Sequence, residues 1–92
     1  MNRDSAWKLL RKYNRDVFHL RHALTMESVM KNFAVSSGYA DEAEFWGLAG
    51  LLHDIDFEQF PHEHCRKAPE LLREIDAPEA LAHAVCSHGW NI

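Results

Sequence analysis

The chain predicts an all-α fold, a small bundle of about five helices. Three observations carry that expectation. Apolar residues recur at spacings of three, four and seven, no stretch alternates convincingly with period two, and glycine or proline interrupts the pattern at helix-length intervals. The 92 residues show no linker, repeat or low-complexity block, so residues 1–92 are expected to form a single domain. A chain this short buries only about 60 to 65% of its unfolded surface, so its core is small.

The first helix is expected from Ser5, as N-cap, to about Lys12. A long second helix runs from about Asp16 to Ser37 and stops at Gly38. The third begins near Asp41, with Asp41, Glu42 and Glu44 in its first turn, where the helix dipole favours negative charge, and ends near His53. Residues 54–62, DIDFEQFPH, are a loop broken by Pro61. A fourth helix spans about Glu63 to Ile75, and Pro69 within it demands a kink or a later start. Asp76 is the expected N-cap and Pro78 an early position of a fifth helix, which ends at about Ser87 before Gly89.

Composition narrows the function classes. The formal charge of −4 argues against a surface for a nucleic-acid duplex, which must neutralise many phosphates. Six of the ten basic residues, Arg3, Lys8, Arg11, Lys12, Arg15 and Arg21, nevertheless fall in the first 21 positions. They form either a solvated helix surface, the simpler account, or a phosphate-attracting face. The longest apolar run, Phe45 to Leu52, has eight residues, whereas a bilayer span needs about 20. No membrane association is expected, and without an apolar secretory signal a cytoplasmic location follows. Cys65 and Cys86 stand in no CxxC spacing and suggest neither a disulfide framework nor a thiolate zinc site.

The histidines carry the chemistry. Seven occur, at 19, 22, 53, 62, 64, 83 and 88. On the second helix Phe18, His22, Met26, Val29 and Phe33 share one stripe, which places His22 among apolar, inward side chains and leaves His19 off it. His64 lines up with Ala68, Leu71 and Ile75, and His88 with Leu81 and Ala84 or Val85. In the third helix Gly47 and Gly50 allow a neighbouring helix to approach closely, and the helix ends on His53 and Asp54. A lone inward histidine is usually a hydrogen-bonded core residue. Three of them with a carboxylate that must not be buried unpaired are satisfied together by one divalent cation. Mixed nitrogen and oxygen donors suit Mn, Fe, Co, Ni or Zn better than an all-oxygen site for Ca or Mg, although Mg stays open.

The segments LRHALTMESVMKNFA, WGLAGLLHDID, HCRKAPELLREI and EALAHAVCSHGW together resemble the HD-domain superfamily of metal-dependent phosphohydrolases, over about residues 18–90. The resemblance implies His22, His53 and Asp54 as metal ligands, with His64 and His88 in the positions that hold a second ion. It also implies hydrolysis of phosphate esters, nucleotides or related small molecules, by metal-activated water. His53 and Asp54 would be its catalytic centre.

Two departures from the family pattern matter. HDIDF stands where many members have HDIGK, so Asp56 and Phe57 take the places of a glycine and a phosphate-binding lysine. Asp56 is expected to be a solvated loop acid and His62 a plain loop residue. The family's final aspartate has no counterpart after His88. The chain is therefore expected to be a fragment or shortened homologue, or to have its site completed by a partner. An apolar surface left open near Trp90 and Ile92 would favour homo-oligomers. The alternative function is a non-catalytic module that binds metal or nucleotide, or pairs with a partner. A third is a bundle whose histidines are structural only.

Overall fold

Five α-helices and no strand occur among the described residues: α1 (Arg3–Tyr13), α2 (Val17–Ser36), α3 (Ala43–Leu52), α4 (Ala68–Leu72) and α5 (Glu79–Trp90). Short 3-10 turns span Ala40–Glu42, Pro61–Glu63 and Arg73–Ile75. This computed structural model describes residues 2–63 and 66–90, with residue 63 and residues 86–90 described by backbone alone. No helix in it is long and apolar enough to cross a membrane.

The element boundaries follow local chemistry. Asn2, and not Ser5, caps α1: its side chain accepts from the Ser5 amide while the Ser5 hydroxyl serves the Asn2 amide, so Ser5 is the reciprocal member of a capping box. Asp16 caps α2 through the Phe18 amide, and Gly38, at φ 88°, ends it. The acids Asp41 and Glu42 lie in the 3-10 turn that precedes α3. Pro69 delays α4 and sits in its first turn, where its missing N–H costs nothing. Asp76 does not cap α5. It adopts a left-handed conformation (φ 52°) that closes the preceding 3-10 turn, and the first hydrogen bonds of α5 run from the Leu81 and Ala82 amides to the Pro78 carbonyl. Gly89 does not stop α5, which continues to Trp90.

α3 is the centre of the bundle. Every residue from Gly47 to Leu52 is buried, as expected of a helix apolar on all sides. It packs mainly on α2 and also on α1 and α5. Leu51, Leu52, Ile55, Leu72, Leu81 and Val85 are fully enclosed, each contributing about 1.5–3 kcal/mol. Leu51, Leu52 and Ile55 thus enclose the chain on both sides of residues 53 and 54.

The α2–α3 contact corrects one expectation. Most of the stripe Phe18, His22, Met26, Val29 and Phe33 does not face the core: Phe18 is 74% exposed, Phe33 56% and Val29 47%, and of its members Met26 alone is half-buried. The buried positions of α2 are Ala23, Glu27 and Ala34. The glycines of α3 face Met26, Met30 and Lys31 of α2. A Cβ on Gly50 would lie 2.5 Å from the Met26 carbonyl oxygen, so the two backbones touch there. The cost of burying Glu27 is offset by Arg3, which grips it twice, at 2.9 Å through both Nε and Nη2. At the other end of the pair, Trp46 stacks on Phe33 and Tyr39.

Asp56 likewise departs from the expected solvated loop acid. It is fully buried and accepts the Ala68 amide at 3.0 Å, which ties the turn after α3 to the first residue of α4. An Asp56→Ala variant should lose about 1–3 kcal/mol of stability, measured by urea unfolding, because that amide would be buried without an acceptor.

Candidate functional site

The register of α2 against α3 decides which side chains meet. The chain reverses at Gly38, so α2 and α3 run antiparallel; Trp46 then sits opposite Phe33 and Gly50 opposite Met26. One more turn along α3 brings His53 level with His22. Their rings lie 5.1 Å apart between centroids. Close approach at Gly50 therefore sets the spacing of this pair.

His53 occupies the C-cap of α3 in helical conformation. The carbonyls of a final helical turn lack intrahelical donors, and the Gly50 carbonyl accepts from His53 Nδ1 at 2.7 Å. A carbonyl oxygen only accepts, so Nδ1 carries a proton and Nε2 is turned the other way. Nε2 lies 3.0 Å from Asp54 Oδ2, and His22 Nε2 lies 3.7 Å from the same oxygen. The three ligand atoms are all within 4.8 Å of one another. Imidazole and carboxylate donors bind a divalent ion at about 2.0–2.2 Å, so donor separations of about 3–4 Å suit a shared ion with little movement. The backbone-anchored Nδ1–H is also the outer contact that commonly orients a ligating histidine. The helix C-terminus adds a partial negative charge that favours a cation there.

His22 is about half exposed, at 46% of its side chain, so it reaches the cluster from the rim of α2 and not from the core. His53 is buried and Asp54 intermediate. The space enclosed by His19, His22, His53 and Asp54 together with Leu10, Asn14, Ala23 and Leu51 is only about 10 Å³. That is room for a single ion or water. A substrate must sit outside it.

Burial alone would lower the proton affinity of His53. The hydrogen bond and charge of Asp54, and then the Gly50 carbonyl, outweigh it and raise the pKa above 6.5. A histidine with a raised folded pKa contributes stability that is complete below its unfolded value and disappears as pH rises through the folded one. The ion-free protein should thus lose stability as pH rises above the ordinary histidine value of 6.5 on this account. Added divalent ion, which needs the imidazole deprotonated at Nε2, should stabilise more at pH 8 than at pH 6. Thermal unfolding in chelator and in excess Mn or Zn, at both pH values, checks the opposed slopes.

Two neighbours escaped the helical-stripe argument. His19, off the predicted stripe, lies beside the cluster and pairs with Glu58 at 3.0 Å, with Phe57 against its ring edge. Glu58 also accepts the backbone amides of Arg15 and Asp16. Desolvation works to raise its pKa, but His19 and those two amides lower it overall. Asn14 is buried and donates to the Leu10 and Ile55 carbonyls at 3.2 and 2.9 Å, which joins the end of α1 to the residue after Asp54. Short polar residues at helix ends signal such caps in sequence, but not which distant carbonyl they reach.

Of the sequence-predicted set, His22, His53 and Asp54 come together. His64 lies outside the described residues, as do the side chains of His88, Cys86, Ser87 and Trp90, and Cys65 and Ile92 entirely. His83 is exposed on α5, and His62 is exposed in the Pro61–Glu63 turn. Searches of family models, curated proteins and solved structures found no match to this chain.

Proposed function

We propose that the protein is an HD-type, metal-dependent phosphohydrolase that acts on small phosphate esters, with nucleotides as the leading class. The observation that carries this reading is the convergence of His22, His53 and Asp54 ligand atoms within 4.8 Å, with His53 locked by the Gly50 carbonyl. His22, His53 and Asp54 would hold the ion, and His64 and His88 belong to the same proposal as holders of a second. When bound, such an ion activates water and offsets charge on phosphoryl oxygens. The chain's own residues do the rest. His53 keeps one nitrogen fixed and the other aimed, Asp54 supplies the anionic donor, and the half-exposed His22 leaves the cluster open to a ligand from solvent.

The test is hydrolysis of an aryl phosphate and a nucleotide panel with added Mn, Fe, Co, Ni, Zn or Mg, together with elemental analysis of protein purified without a polyhistidine tag. Turnover should require the ion, cease in chelator and be lost in His53→Ala. Turnover that is unchanged in that variant would sink the mechanism.

A second reading is a binding module without turnover, and metal uptake with no hydrolysis across the panel would select it. The 3.0 Å His53–Asp54 contact also serves as an ion pair in its own right, which favours a third reading, a bundle whose histidines are structural only; protein free of transition metal by elemental analysis would select that. Self-association and a cytoplasmic location are parts of the same proposal; the exposed Phe18, Val29 and Phe33 support the former. A monomer by light scattering across a wide concentration range would remove it.

A further inference from the structure

Beside the cluster lies a second feature that the metal ligands do not use. Lys8, Arg11, Lys12 and Arg15, spaced i, i+3, i+4 and i+7, line a surface cleft of about 490 Å³ together with Asn14 and Leu20. Among the described residues its wall includes no carboxylate. Asn14 belongs to this cleft and to the small His/Asp cavity alike, so the two adjoin across the end of α1.

Four cations on one concave wall repel one another in a protein of net charge −4, and the fold offsets them only in part. Lys8 pairs with Asp4 at 3.2 Å, but both side chains are more than 70% exposed, so the pair is weak. Lys12 is held by Glu74 at 2.6 Å. The Arg11 guanidinium rests at 6.0 Å from the Trp7 ring, the outer limit of a cation–π contact. Glu58 engages the backbone of Arg15 and not its side chain.

Arg11 and Arg15 thus present planar donor forks suited to phosphate oxygens. A cleft of this volume is about 8 Å across, within one Debye length at physiological salt, so all four charges act on a single occupant. Lys8 to Lys12 already covers about 6 Å of helix rise, with Arg15 beyond, which is longer than one phosphate bridges. A duplex, by contrast, needs an extended basic surface.

We propose that this cleft binds the phosphate chain of a small polyphosphate or nucleoside polyphosphate, placing one end of it next to His22, His53 and Asp54. The inference names the substrate class of the phosphohydrolase and rests on that reading for calling the anion a substrate. Binding itself does not depend on the ion.

The experiment is isothermal titration of the 92-residue chain in chelator with tripolyphosphate, ATP, adenosine and orthophosphate, at low and physiological salt. Tripolyphosphate should bind more tightly than orthophosphate and weaken with salt. If ATP matches tripolyphosphate and adenosine fails to bind, the phosphate chain is what is recognised. The double variant Arg11→Gln/Arg15→Gln should weaken tripolyphosphate by about tenfold or more. Lys8→Gln, at an exposed position, gives a second and smaller loss if the double variant folds poorly by circular dichroism. Affinity unaltered in these variants, no preference over orthophosphate, or tighter binding to an RNA or DNA duplex would each overturn the proposal. A protein that binds tripolyphosphate through Arg11 and Arg15 yet hydrolyses nothing supports the cleft and removes the hydrolase reading instead.

Discussion

Gly50→Ala should destabilise the protein by about 3 kcal/mol or more, at the upper end of overpacking costs. The added methyl would meet the Met26 carbonyl oxygen at 2.5 Å and its carbon at 2.9 Å, both backbone atoms, and Met30 Cγ at 2.8 Å. Backbone in the middle of a 20-residue helix cannot yield as a side-chain tip can. The helix-propensity gain of about 1 kcal/mol for alanine over glycine does not offset this. A domain of this size has only about 5–14 kcal/mol in total, so the loss is a large fraction of it.

Gly47→Ala provides the internal control. The three atoms nearest its methyl would all belong to Lys31, with Cγ and Cε at 2.8 Å, and that flexible, exposed side chain can swing aside. This variant should be neutral or more stable by up to about 1 kcal/mol. Urea unfolding of both variants measures the contrast, and equal losses at the two positions would refute the close-approach argument. Gly50→Ala should also weaken divalent-ion binding even under conditions where it folds, because any outward shift of α2 moves His22 away from His53 and Asp54.

His53→Ala should reduce affinity for a divalent ion by at least about 100-fold. Loss of an outer hydrogen-bond partner of a ligand already costs about 10–100-fold, and His53 is both a donor of Nε2 and the buried, backbone-anchored member of the set. His22→Ala should cost less, since its side chain is 46% exposed and free to adopt other positions before an ion fixes it. Competition titration with a chromophoric chelator compares the two. Unaltered affinity in both variants would remove the site. The variants also separate structural from ligating roles. In chelator His53→Ala should lower stability, because the Gly50 carbonyl loses its donor and Asp54 a partner at 3.0 Å, whereas His22→Ala should leave ion-free stability nearly unchanged.

Helix number and type, the stop at Gly38, the later start that Pro69 imposes on the fourth helix, the value of glycine at 50 and the pairing of His53 with Asp54 were legible in the sequence. Local dihedral preferences, caps and the 3.6-residue period act within one turn of chain and need no partner to be read. What only the tertiary structure decided was which face each helix buries. The stripe Phe18, His22, Met26, Val29 and Phe33 has the period of an inward face, yet the buried positions of α2 are Ala23, Glu27 and Ala34, while Phe18, Val29 and Phe33 lie exposed and Met26 brings its backbone against Gly50 of α3. Asp56 has the sequence of a loop acid but is sealed in because the turn folds back onto the first amide of α4. His19 and Glu58, 39 positions apart, meet only because the α1–α2 corner docks on that same turn. Periodicity assigns residues to a face; backbone separation, set by the smallest residues at the contact, determines whether that face is covered.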